Sequence, residues 1–434
     1  MAGVPTTNLH ITPSNVLSSG KISYKSGNPV IQFIIGEQSR GLLGQSLRFC
    51  GDFRLFKSSA EDINDTTLSM DPRIGAYSLI DQLVIKSQKT HAVIEHIRHY
   101  SRMMASFIPF TSNEQDGIGH MSVSALTMPN AGLMKNSVAK LKSGKKTGNN
   151  FCMHLPCGLF NGTEAIPLDT TGGLLVEIHL APDSNVIFDE GGDGDTNATT
   201  FYELSNVFLC AEATEVSSPP GPGTFEYNSV SSYFTSFNST NAIINFNLGL
   251  NNVLSVFGNV IPASYINSLK HLGTATPYPV NTDNTPATIT QAIFTRGGEK
   301  FPLEFNIDTI QKGDETHNDQ HSYDSQLITE GMSAVRKFAN MSRMMISPVN
   351  SFISPTITTA NDSTELAKID GGSMFIIGMN YDAISNQGVS FATQNWGLNL
   401  TTNLTTDNPH ALFLFVHSKN TLVFDGQGGM QVMS

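Results

Sequence analysis

Ser217-Ser218-Pro219-Pro220-Gly221-Pro222-Gly223 lies at the arithmetic midpoint of a chain of 434 residues. Proline lacks the amide donor and glycine resists order, so neither a helix nor a central strand runs through this stretch. It divides the chain into residues 1–216, a linker at 217–223 and residues 224–434. A break at the midpoint prompts a search for duplication. Ser101-Arg102-Met103-Met104 recurs as Ser342-Arg343-Met344-Met345. Leu174–His179 (LLVEIH) is similar to Leu412–His417 (LFLFVH), and Val186–Asp189 (VIFD) to Leu422–Asp425 (LVFD). One short identity is expected by chance, but three matches in the same order at nearly one offset point to an internal duplication.

Away from these matches the apolar period is two. Leu47, Phe49, Phe53 and Leu55 alternate with Arg48, Cys50, Asp52 and Arg54, and Phe301, Leu303, Phe305 and Ile307 with Pro302, Glu304, Asn306 and Asp308. Ile244, Phe246 and Leu248 repeat the pattern. These are strands with one buried face, and Pro302 assigns its strand to an edge or a strand start. Further strands are expected at Val30–Ile35, Leu79–Lys86, Leu174–Leu180, Tyr202–Ala211, Met374–Gly378 and Leu412–Val416. Val93, Ile97, Tyr100 and Met104 fall at helical spacing, as do Met332, Val335, Phe338, Ser342 and Met345. One short amphipathic helix is therefore expected before each SRMM, with Val93 and Phe338 on core faces. Strands at irregular spacing with long polar loops suggest a sandwich or jelly roll in each half. If the halves are equivalent, the second ends in a short strand near Gln431–Met433, because the first runs on through Tyr202–Ala213.

Composition excludes several classes. Charged residues are 14% of the chain, against roughly 25% in an average soluble domain, and the net charge is −12. That acidity argues against a chain that mainly wraps nucleic acid. The 26 Phe and 10 Tyr supply core material that disordered chains lack. No apolar run is long enough to span a membrane, and the opening residues MAGVPTTNLHITPSN do not form a secretory signal. Cys50, Cys152, Cys157 and Cys210 are too few for a disulfide scaffold and read as buried reduced thiols.

Chemistry-bearing motifs are sparse. Gly144-Lys145-Lys146-Thr147 is similar to the end of a phosphate loop, but the required earlier glycine is Ala139. Asp189-Glu190-Gly191-Gly192-Asp193-Gly194-Asp195 offers carboxylates to a hard cation, yet its twelfth position counted from Asp193 is Leu204 rather than Glu. A solvated turn is expected. His317 and His321 would share a helix face as zinc ligands, but their flanks lack apolar periodicity, so a polar loop is expected. His91, His96 and His99 read as partly exposed interface residues. Lys135, Lys140, Lys142, Lys145 and Lys146 form the only basic cluster. Five cations in twelve residues could touch phosphates, but the patch lacks aromatic interleaving, so a solvated loop is expected and a genome-facing patch is the alternative. No catalytic, cofactor or metal residue is assigned.

The segments Asp71-Pro72-Arg73-Ile74-Gly75-Ala76-Tyr77-Ser78-Leu79-Ile80, the stretch leading to the first SRMM, and Ala411–Ser434 carry a resemblance. With two tandem β sandwiches and a helix in each, the chain resembles the double jelly-roll major capsid proteins of tailless icosahedral DNA viruses, nearest in flavour to those of polinton-like viruses and virophages. The resemblance implies an all-β fold of two tandem eight-stranded jelly rolls, each of two four-stranded sheets. It implies a non-enzymatic homotrimer with a pseudo-hexagonal outline, tiling a virion shell beside neighbouring capsomers, penton and minor capsid proteins. Closed symmetry of that kind prevents open fibres. A jelly-roll carbohydrate-binding or carbohydrate-active protein is the alternative; a sugar platform would then need exposed aromatics, and the chain has one tryptophan, Trp396. A minor vertex or fibre protein is a third reading, disfavoured by the duplication.

Overall fold

The computed structural model describes residues 6–434 except 18–19, 26, 28, 57–67, 71–73, 112–148, 190–199, 216–221, 247, 264–265, 267–288, 306–324, 340–375, 383–386, 403–408 and 427–428. The first half contains β1 (Thr6–Ile11), β2 (Val30–Ile35), β3 (Arg40–Phe56), β4 (Leu68–Met70), β5 (Ile80–Ser87), β6 (Val93–Arg98), α1 (Tyr100–Thr111), β7 (Asn149–His154), β8 (Ile166–Pro167), β9 (Leu174–Leu180), α2 (Asp183–Val186), β10 (Ile187–Asp189) and β11 (Phe201–Glu215). The second contains β12 (Gly223–Phe237), β13 (Asn241–Asn245), β14 (Val253–Pro262), β15 (Ile289–Arg296), β16 (Glu299–Phe305), α3 (Ser325–Phe338), β17 (Ile377–Asn380), β18 (Trp396–Thr402), β19 (His410–Phe424) and β20 (Met430–Met433).

The two halves share one topology. The first builds a sheet β1-β11-β3-β7 and a sheet β2-β9-β5-β6; the second builds β12-β19-β14-β17 and β13-β18-β15-β16. Leaving aside the small β4–β10 ladder and the appended β8 and β20, the eight main strands of each half occupy the same places in the same chain order. In both, a helix separates the fifth main strand from the sixth: α1 between β6 and β7, α3 between β16 and β17. All the ladders are antiparallel. Each half is therefore an eight-stranded jelly roll, as expected.

Two of the three matches that suggested the duplication do not join equivalent strands. LLVEIH is β9, the seventh main strand of its roll, whereas LFLFVH lies on β19, the eighth of the other. VIFD spans the end of α2 and β10, but LVFD closes the same strand β19. A strand buried on one face repeats every two residues, so short apolar strands are similar whether or not they are homologous. The true counterpart of β19 is β11. The short strand expected near Gln431–Met433 exists as β20, but it pairs with β19 as an addition to the main strands.

The first helix also departs from expectation. Val93–Arg98 is strand β6, paired to β5, and α1 starts at Tyr100, so the first SRMM occupies its opening turn rather than following it. The β-branched residues Val93, Ile94 and Ile97 suit a strand, and helical spacing over so few residues did not discriminate. His99, at φ 54°, reverses the chain, and its carbonyl accepts from the N–H groups of Arg102 and Met103 at 2.9 and 3.1 Å. Val93 is 47% exposed, which overturns its placement on a core face, whereas Phe338 is fully buried. The second SRMM lies outside the described residues, beyond the end of α3.

Between the sheets of the first roll sit Phe33, Phe49, Phe53 and Phe151, with ring centroids of Phe49 and Phe151 5.2 Å apart. The second roll packs Phe246, Phe294, Tyr381, Phe391 and Trp396, the last two stacked at 4.1 Å. Pro302 lies on β16, the outer strand of its sheet, the place where a sheet tolerates a missing donor.

Candidate functional site

The feature that makes one object of two rolls is the junction between them. The apolar core of the first roll continues without a break into Tyr227, Val230, Phe257, Phe338, Phe413 and Phe415 of the second. From the first roll the junction takes β6, α1 and the turn at Gly158; from the second, β12, β14, β19 and α3. Phe107 of α1 meets Phe338 of α3 edge-on at 5.5 Å, and Phe338 stacks on Phe257 at 5.6 Å. Arg102, buried on α1, lies over the Phe413 ring at 5.4 Å, a contact that strengthens away from water.

Polar groups fix the register across this interface. Glu95 on β6 is 2% exposed. Its carboxylate accepts from the backbone N–H groups of Gly158 and Leu159, both at 2.9 Å, and of Val230 in the second roll at 2.7 Å. Burial pushes this carboxyl up to about 7, while the N–H donors pull the other way. The Tyr227 hydroxyl donates to the Ile94 carbonyl at 2.8 Å, and the Ser232 hydroxyl donates to the Arg98 carbonyl and accepts from its N–H. Asn259 on β14 donates to the Arg102 carbonyl and to the Ser106 hydroxyl of α1 at 3.2 and 2.6 Å. Bonds of this kind across the two rolls specify one docking geometry rather than a family of them, although the Asn259 Oδ1 atom is buried without a partner.

Of the three histidines expected at an interface, His99 lies at the junction between the rolls, tilted against Phe234 at 5.2 Å and edge-on to Phe413 at 5.1 Å. His96 lies on β6 beside Gln82 at 2.9 Å, and His91 is exposed in the turn before β6. Lys135, Lys140, Lys142, Lys145 and Lys146, His317 and His321, and residues 190–195 of the acidic loop lie outside the described residues; Asp189 ends β10. Cys157 is buried beside Glu95, apart from Cys152, while Cys50, Cys152 and Cys210 converge. No sequence spacing announced that cluster, because its members come from three strands.

Two arrangements could be mistaken for catalytic ones. Ser255 Oγ lies 3.3 Å from His417 Nδ1, but both residues are fully buried. Burial pushes the imidazole down to about 3, which leaves it a poor base near neutrality. An open cleft of about 490 Å³ holds the carboxylates Glu226 and Asp382, each ion-paired, to Lys419 and Lys337 respectively. Trp396 is fully buried and offers no sugar platform.

No protein-family model and no curated protein matches this sequence. Solved structures do match its shape. The Faustovirus major capsid protein is similar with a TM-score of 0.58 at 9% identity, covering 98% of this chain and 91% of its own. The mavirus major capsid protein gives 0.51 at 11% identity, covering 100% of this chain and 91% of its own. The chain has the double jelly-roll fold of viral major capsid proteins. A chain of the Sputnik virophage gives 0.55 at 14% identity, covering 100% of this double jelly roll and 89% of its own length. The alignments span nearly the whole of both chains, so both rolls fall within the match. Among the described residues of the double jelly roll, no helix is long and apolar enough to cross a membrane.

Proposed function

We propose that this double jelly roll is the major capsid protein of an icosahedral DNA virus and stands in the virion as a homotrimer. Residues 1–216 and 224–434 are its two rolls and 217–223 the linker between them, whose last residue, Gly223, already opens β12. One observation carries the reading: the same sheet order occurs twice in one chain, locked by a shared apolar junction. Three such chains around a three-fold axis present six near-equivalent rolls, a pseudo-hexagonal tile from which closed shells can be built. Its role is structural rather than enzymatic, and its partners are its own copies, neighbouring capsomers, and penton and minor capsid proteins. The cluster Lys135, Lys140, Lys142, Lys145 and Lys146 faces the packaged genome, where its cations oppose phosphates.

Light scattering of the purified chain, followed by negative-stain imaging, tests this. The expected particle has about three times the chain mass of 46.9 kDa and a hexagonal outline, or forms closed shells. A monomer that persists at high concentration would overturn the reading.

A further inference from the structure

Cys50 on β3, Cys152 on β7 and Cys210 on β11 lie on three adjacent strands, in the sheet order β11-β3-β7. Cys50 and Cys152 are direct register partners, and Cys210 pairs with Arg48, two residues from Cys50. The three Sγ atoms lie within 4.8 Å of one another, with Cys50 to Cys152 at 2.7 Å and Cys50 to Cys210 at 3.8 Å. All four cysteines are free thiols.

Their direction is informative. Phe49 and Phe53 on β3 point into the core and are fully buried. By the alternation of a strand, Cys50 points to the opposite, outer face with Arg48 and Asp52. Cys50 is covered there, but Cys152 and Cys210 are only half-buried, so the cluster reaches solvent through those two, unlike Cys157, which is sealed in the core. A structural cysteine usually hides in a core as a small apolar group. Three that leave the core to converge from distant parts of the chain suit a ligand instead.

We propose that Cys50, Cys152 and Cys210 form a site for a thiophilic d¹⁰ cation, Zn²⁺ above all, seated on the outer face of the first roll. A zinc–thiolate distance of about 2.3 Å sets sulfur–sulfur separations near ~3.8 Å in tetrahedral geometry. The Cys50–Cys210 pair already has that spacing, and the Cys50–Cys152 pair reaches it by opening about 1 Å through side-chain rotation. The sheet supplies three ligands from one side, so the fourth position faces outward to water or to a group brought by a neighbouring molecule. Each thiol that ligates gives its proton to solvent. Bound metal would clamp β7 and β11 to β3, stabilising the folded roll by mass action.

The test is a Co²⁺ titration of the full chain, purified reduced and free of metal. One equivalent per chain, with a thiolate-to-cobalt charge-transfer band that Zn²⁺ abolishes, is the expected result. Zn²⁺ should also protect Cys50, Cys152 and Cys210, but not depend on Cys157, in an alkylation map. Cys210→Ser, at a half-exposed position that should fold, should weaken binding at least tenfold; Cys50→Ser should do the same. A folded wild-type chain that gives no charge-transfer band overturns the proposal. So does recovery of Cys50 and Cys152 as a disulfide when thiols are blocked at lysis, which would assign the pair to a cross-strand bridge.

Discussion

The Glu95 carboxylate of the first roll accepts a 2.7 Å hydrogen bond from the Val230 N–H of the second. The same carboxylate holds the Gly158 and Leu159 amides of its own roll, so one buried side chain ties a strand, a turn and the neighbouring roll together. Tyr100, Tyr227 and Cys157 are the titratable groups packed around it, and all are held neutral by burial.

Glu95 and His417 should give stability opposing pH slopes. The Glu95 carboxyl is raised from 4.5 to about 7, so the folded chain holds a proton that the unfolded chain has lost. Its contribution is complete below pH 4.5 and disappears as pH rises through about 7, on the order of 3 kcal/mol in all. His417 is lowered from 6.5 to about 3, so its contribution is complete above pH 6.5 and is lost as pH falls toward 3. Between pH 4.5 and 6.5 the two offset each other. Denaturation across that window should show Glu95→Gln gaining stability with rising pH, and His417→Gln losing it. Parallel profiles for both variants and the wild type would refute the assignment.

Gly158, where the first roll meets β12, should not tolerate a side chain. A Cβ there would lie 2.5 Å from Ser229 Cα, in the backbone of β12. Backbone cannot rotate away as a side chain can, so the rolls must part. Gly158→Ala should destabilise by about 1–3 kcal/mol or more. Gly223→Ala, where a Cβ meets nothing within 4 Å, should be close to neutral. Equal melting temperatures for the two variants would show that the junction tolerates a shift.

Phe338→Asp should give insoluble or unassembled chain, because it buries an unpaired charge among Phe107, Phe257 and His417. Val93→Asp should fold, since Val93 is 47% exposed. Soluble yield and scattering mass read both. Normal assembly of the Phe338 variant would mean that α3 is not part of the junction.

Replacing Lys135, Lys140, Lys142, Lys145 and Lys146 together with Gln should leave the shell assembled and lower its retained nucleic acid. DNA binding by the assembled protein should then fall less steeply with salt. Unchanged retention and salt slope would return the cluster to a solvated loop.

The strands were legible because apolar side chains recur every second residue, as at Ile31, Phe33 and Ile35 and at Leu174, Val176, Ile178 and Leu180, and Val30–Ile35 and Leu174–Leu180 end where expected. Helix α1 was misplaced because β6 does not alternate: Ile94, Glu95 and Ile97 are all buried, and its pairing with β5 slips at Ile94. A strand buried on both faces loses its alternation, and a buried carboxylate reads as a polar position.

Amino-acid order by itself determined the class of fold, its bipartite layout and the edge position of Pro302, since backbone donors and side-chain periodicity are local properties. Which strand of one roll corresponds to which of the other was decided only by the sheet order, because short apolar strands are interchangeable as text. The same holds for the Glu95 anchor and the Cys50–Cys152–Cys210 cluster. Their partners lie far apart in sequence, and only cross-strand register and the docking of two rolls bring them within hydrogen-bonding or ligating distance.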